Sequence, residues 1–173
     1  MKKILFLLAL CPMLLLAQQR INSSFSFQSQ NKLYSIYVPS SYNAANPTKL
    51  MLGLHPFNTS RWDAMSWCDT LVNFAETNNL LLVCPDGGPD GKVDDPIDTA
   101  FTSAILDSMM VWYNVDTSKT YVMGFSWGGL TTYTYGLSNP QKFGGYLPIG
   151  AAINGASPIS AFSANVHRKP VYI

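Results

Sequence analysis

Hydrophobic and polar positions change their rhythm twice along this chain. Lys2 and Lys3 lead into an almost unbroken apolar stretch, Ile4 to Ala17. A charged start before an apolar run shorter than the ~20 residues of a membrane span is the pattern of a signal peptide. Cleavage after Ala17 is expected, so residues 1–17 are read as a leader and residues 18–173 as one domain. Leu8-Ala9-Leu10-Cys11 has the outline of a lipid-attachment site, but Leu10 is the wrong size before the cysteine, so no membrane anchor is expected. Phe25 to Phe27 and Leu33 to Val38 then alternate in polarity, which predicts antiparallel strands at a sheet edge, the second ended by Pro39 and Ser40. After that the rhythm changes to continuous apolar runs: Leu50 to Leu54, Leu80 to Cys84, Tyr121 to Met123 and Tyr146 to Ile149. Strands apolar on both faces belong in a parallel sheet covered by helices on both sides.

Helical patterns fill the gaps between these runs. Trp62 to Thr77 separates the first two. Asp95 as N-cap, Pro96 at the first helical position and Asp98 in the first turn open a second helix. Its stripe Phe101, Ile105, Met109 and Trp112 predicts one buried face, with Asn114 at the stop. A third helix is expected from Trp127 to Leu137, ending before Asn139-Pro140. Strand and helix in alternation, with right-handed crossovers, predict an α/β fold: a three-layer αβα sandwich with a mostly parallel sheet and antiparallel N-terminal edge strands.

Composition narrows the function. The 173 residues suffice for one domain with a sizeable core. A net charge of +1 with only 12% charged residues gives no electrostatic case for nucleic acid or anionic membranes. There is no Cys-x-x-Cys and no His-Glu-x-x-His, and the sequence holds two histidines, so neither a metal site nor a cofactor is expected. Asp86, Asp90, Asp94 and Asp95 among Gly87, Gly88 and Gly91 lack EF-hand spacing and read as turn chemistry. Export would permit a disulfide between Cys68 and Cys84, but Cys84 ends a buried strand, and two free thiols are expected.

The chemistry sits at one strand-to-helix joint. Gly124-Phe125-Ser126-Trp127-Gly128-Gly129 follows the run ending at Met123 and opens the third helix, which is the setting of a nucleophile elbow. A serine at the tip of so sharp a turn requires Gly124 and Gly128 two positions either side, because strand and helix backbones close in there. Ser126 is therefore the candidate nucleophile. The helix start below it also favours a nearby oxyanion. His55-Pro56-Phe57-Asn58 follows the run Leu50 to Leu54, where a second oxyanion donor is needed. Trp127 N–H is one candidate donor, and Phe57 N–H the other with Asn58 as fallback; Pro56 has no N–H. His55 is expected to brace this turn. Trp62, Trp67 and Trp127 could stack on an aromatic or sugar substrate, though the spacing of the first two suits a core equally well.

With these landmarks the chain resembles the secreted esterase group of the α/β-hydrolase superfamily, which contains polyhydroxybutyrate depolymerases, feruloyl esterases and acetylxylan esterases. The resemblance runs from about Leu33 to Ile173. It is carried by the His55 loop, Cys84-Pro85-Asp86-Gly87, Trp112-Tyr113-Asn114-Val115-Asp116 and Tyr121-Val122-Met123-Gly124-Phe125-Ser126. It implies a serine esterase acting through an acyl-enzyme on Ser126, secreted or periplasmic, with acylated polysaccharide or polyester as substrate. The chain departs from the group at Pro56, where glycine is usual, and at Trp127, where a small or polar residue is common. In this fold the triad follows in the order serine, acid, histidine. No Asp or Glu follows Ser126, and His167 precedes Lys169 to Ile173, which reads as the opening of another core strand. The domain is therefore expected to be incomplete, lacking acid and base, and inactive as it stands. Two further readings stay open: a prolyl-oligopeptidase-like serine peptidase, for which the N-terminal region leaves no room for a propeller, and a hydrolase-fold protein that only binds.

Overall fold

The computed structural model describes residues 19–57, 60, 62–151 and 169–172. The leader 1–17, Asn58 and His167 lie outside these residues. Two long strands open the fold, β1 (Gln19–Phe27) and β2 (Gln30–Val38), paired antiparallel across a turn at Gln28 and Ser29. Then come β3 (Thr48–Leu54), α1 (Ala64–Thr77), β4 (Leu80–Pro85), α2 (Pro96–Trp112), β5 (Val115–Phe125), α3 (Trp127–Thr131) and β6 (Gly145–Ile149). The apolar runs match strands β3 to β6 to within a few residues, except that β5 begins six residues early, in a polar stretch that meets β3 only through a register shift.

Among the described residues six strands lie in the order β1-β2-β4-β3-β5-β6, with β3 to β6 parallel to one another and β1 and β2 antiparallel at one edge. Val171 bridges Tyr146 in parallel on the far side of β6, so the second edge begins to be covered as the residue pattern of 169–173 suggested. The side-chain alternation of each strand divides the core in two. Tyr37, Met51, Leu82, Cys84 and Met123 face α1 through Trp67, Cys68, Leu71 and Ala75. Ile36, Leu50, Leu52, Leu81, Val83 and Val122 face α2 and the α3 segment through Phe101, Ile105, Met109 and Tyr133. The expected three layers are present.

Local chemistry sets the helix ends. Asp63 caps α1 in a reciprocal capping box with Ser66, so the helix starts two residues later than Trp62. Asp95 caps α2, accepting from Asp98 N–H at 2.7 Å, with Pro96 following. Two expectations are corrected here. Trp112 leaves the buried stripe and is 50% exposed, stacked on Tyr34 instead. The third helix is α-helical only to Thr131 and continues as a π-turn over Thr132–Gly136. Close packing of Gly136 on Val122 and Tyr146 accompanies the wider turn, a Cβ there falling 3.0 Å from Val122 Cγ1. Cys68 and Cys84 are buried and unbridged.

One topological fact positions the site. From β3 the chain crosses to β4 on one side through α1; from β5 it crosses to β6 on the other side through α3. Right-handed crossovers therefore send the helices after β3 and β5 to opposite faces. These two strands are neighbours, so a crevice opens beyond their carboxyl ends, the place where open α/β sheets bind ligands.

Candidate active site

Ser126 stands at that crevice, between the last residue of β5 and the first of α3, and its side chain is exposed. Its backbone is at φ 54°, ψ −113°, a conformation that L-residues rarely hold and that costs on the order of 1–3 kcal/mol. Hydrogen bonds hold it there from both sides: Ser126 N–H donates to Ile149 O at 2.9 Å, and Ser126 O accepts from Leu130 N–H at 3.0 Å.

The glycines around it are required by contact. A Cβ on Gly124 would fall 2.2 Å from Gly128 O. One on Gly128 would fall 2.1 Å from Leu54 O and 2.7 Å from His55 O, so the start of α3 lies directly on the end of β3. Gly129 is equally confined, 2.8 Å from Ala151 Cβ and 2.9 Å from Ile149 O. Its role was not singled out by the Gly-x-Ser-x-Gly pattern, which says nothing of the strand beyond β5.

The loop after β3 is braced by His55, which is buried. Gly87 N–H donates to His55 Nε2 at 3.0 Å, so the ring proton sits on Nδ1 and donates to Pro56 O, also at 3.0 Å. Both nitrogens are committed, and His55 has none left for proton exchange with Ser126. It is the single histidine among the described residues. Phe57 follows, 50% exposed, with its ring 6.0 Å from that of Trp127 and tilted 55° to it. Candidate donors and candidate nucleophile are thus brought to one end of the sheet. Trp67, in contrast, is buried and stacks edge-on against Trp62, so this pair belongs to the core beneath α1.

The loop after β4 closes the third side; sequence reasoning overlooked Lys92 there and read Asp94 as turn chemistry. Lys92 Nζ lies 4.5 Å from the centre of the Trp127 ring and 5.3 Å from that of Phe57. Trp127 Nε1–H donates to Asp94 Oδ2 at 2.8 Å. The other aspartates of the loop are also occupied: Asp86 accepts from Gly88 N–H and, 22 residues away, from Ala64 N–H at the start of α1, Asp90 from Lys92 N–H, and Asp95 from Asp98 N–H. No group of three or more His, Cys, Asp or Glu placed to hold a metal ion occurs among the described residues. A cavity of about 780 Å³ opens beside this loop between Lys32, Asp63, Asp86 and Asp98, but it includes neither Ser126, Phe57 nor Trp127. At its wall Lys32 and Asp98 form a buried ion pair, and burial pushes the Asp98 carboxyl up to about 6 against the opposing pull of Lys32.

No family model matches the chain. Among curated proteins it is 29% identical over 164 residues to the bifunctional acetylxylan esterase/xylanase XynS20E of Neocallimastix patriciarum, covering 88% of this chain and 22% of that protein. It is 26% identical over 122 residues to feruloyl esterase C of Emericella nidulans, covering 67% of this chain and 45% of that protein. The chain thus spans less than half the length of these relatives. Among solved structures, the fluorophosphonate-binding serine hydrolase FphF of Staphylococcus aureus superposes with a TM-score of 0.67 at 15% identity, over 87% of this chain and 68% of that one. A ferulic acid esterase superposes with a TM-score of 0.66 at 17% identity, over 82% and 62%.

Proposed function

We propose that this chain, which has the α/β-hydrolase fold and feruloyl and acetylxylan esterases as sequence relatives, is the Ser126-bearing part of a secreted serine esterase. The carrying observation is the exposed, positive-φ serine at the crevice between β5 and β3. A hydroxyl displayed on a strained turn, with glycines letting two backbones close in around it, is the arrangement an acyl-transfer nucleophile needs. Ser126 Oγ attacks the ester carbonyl, and a histidine outside the described residues takes its proton. The backbone N–H groups of Trp127 and Phe57 receive the developing oxyanion, each worth on the order of 3 kcal/mol of barrier. That histidine returns the proton to the leaving alcohol, and water, deprotonated by the same base, resolves the acyl-enzyme and restores Ser126.

The relatives' names, acetylxylan esterase and feruloyl esterase, support an acylated polysaccharide as substrate, and the leader pattern of Lys2 to Ala17 supports an extracellular or periplasmic setting. A polyester is the second substrate class to try. The test is labelling of the full-length gene product with a fluorophosphonate probe, together with hydrolysis of acetylated xylan and methyl ferulate. We expect both in the wild type and neither in Ser126→Ala. Labelling that persists in that variant would remove Ser126 from the reaction.

A further inference from the structure

We propose that Lys92 is a positioning residue for this reaction, its ammonium locking together the two backbone segments that hold the oxyanion. The inference rests on the esterase reading above. Its starting point is a mechanical problem. The two donors come from separate pieces of chain, the loop after β3 and the first turn of α3, and a hole made of both works only if their spacing is fixed. Gly128 packed on Leu54 O fixes the rear of that junction. At its front Phe57 is half exposed, and its ring has two neighbours that reach across: Trp127 and Lys92.

Lys92 is itself held. Its N–H donates to Asp90 Oδ1 at 3.1 Å, and its carbonyl lies against Gly87 so closely that a Cβ there would fall 2.1 Å from Lys92 O. Gly87 in turn gives its N–H to His55. The contacts therefore form a closed circuit: His55 to Gly87, Gly87 to the Lys92 backbone, and the Lys92 ammonium to Phe57, two residues beyond His55. On the other side the ammonium lies over the Trp127 face while Asp94, two residues along, holds the indole edge. A cation placed over two ring faces attracts both. No carboxylate stands within ion-pairing distance of Lys92 among the described residues, so the rings are its partners.

The experiment compares Lys92→Met, which keeps the stem and removes the charge, with Lys92→Arg, which keeps a cation able to stack. In the full-length gene product Lys92→Met should lower kcat about tenfold with KM nearly unchanged, since the loss falls on the transition state. Lys92→Arg should restore most of it. Amide exchange of the peptide spanning 55–57 should quicken in Lys92→Met and not in Lys92→Arg. Wild-type kcat and exchange in Lys92→Met overturn the proposal, and so does an arginine variant as impaired as the methionine one. A raised KM with unchanged kcat makes Lys92 a substrate contact and overturns it equally. A wild type that neither turns over esters nor labels at Ser126 overturns the esterase reading and the catalytic role with it. In that case the exchange comparison still reports whether the circuit holds the loop.

Discussion

The strain at Ser126 can be measured without any substrate. Its φ of 54° and ψ of −113° place a Cβ-bearing residue where only glycine is at ease, at a cost on the order of 1–3 kcal/mol. Ser126→Gly removes that cost but adds about 0.5–1 kcal/mol of chain entropy lost on folding. Ser126→Ala is the matched control, because it removes the same hydroxyl and keeps the Cβ. The serine side chain makes no capping hydrogen bond to α3, so the alanine variant should stay within about 0.5 kcal/mol of wild type. Subtracting the entropy cost from the strain leaves the glycine variant more stable than the alanine one by about 1 kcal/mol. For a domain of this size that is roughly 2–4 °C in Tm. Differential scanning calorimetry on the pair reads it, and neither variant should take up a fluorophosphonate. A glycine variant melting at or below the alanine variant would show that the turn holds no strain, and the argument from backbone geometry to nucleophile would lose its footing.

Gly128→Ala brings a Cβ to 2.1 Å from Leu54 O, against an ordinary contact near ~3.5 Å, so the elbow and β3 must part by roughly 1 Å. It should cost about 1–3 kcal/mol in unfolding and about a hundredfold in kcat. Gly53→Ala meets side-chain rather than backbone atoms, Cys84 Sγ and Leu71 Cδ1, and should leave kcat alone; equal activity losses would refute the distinction. Lys32→Met strands the buried Asp98 charge and should cost about 3–5 kcal/mol, most of it regained on adding Asp98→Leu, which urea unfolding would show. Because burial raises the folded-state Asp98 carboxyl from 3.8 to about 6, the folded state holds the proton longer, and this stability is lost as pH climbs from about 4 through about 6. Wild type measured against Asp98→Asn should therefore decline across that window and level off above it; a flat or rising difference refutes the shift. Cys68 and Cys84 should both resist a disulfide reagent until the protein is denatured, which mass spectrometry of the labelled peptides checks.

What the sequence shows and what it hides divide by range. The runs that became β3 and β4 are legible because burial on both faces leaves no polar position, and the capping of α2 because Asp95, Pro96 and Asp98 act within one turn. The aspartate-glycine stretch is legible for Asp86, Asp90 and Asp95, whose bonds to Gly88, Lys92 and Asp98 reach two or three residues. It fails at Asp94, whose partner Trp127 is 33 residues away, and at the second bond of Asp86, which reaches Ala64 22 residues away. The exposure of Trp112 escapes for a related reason. It keeps the helical spacing of its stripe, but lies at the last residue of α2, where Tyr34 covers one face of its ring and half of the residue stays exposed.

The same division explains why the candidate nucleophile is easier to find than its surroundings. Ser126 depends on a steric demand made by its own neighbours in sequence, Gly124 and Gly128, and steric demands of that kind leave a written trace. The candidate oxyanion loop depends on three segments, those following β3, β4 and β5, meeting where the strand order reverses. Each supplies one side chain of a type common in loops: Phe57, Lys92, Trp127. None is unusual alone. Their meaning comes from the reversal, which leaves β3 and β5 adjacent while sending α1 and α3 to opposite faces, so that the intervening β4 loop can fold its lysine over both rings. Substitutions at Lys92 therefore test the topology as directly as those at Ser126 test the turn.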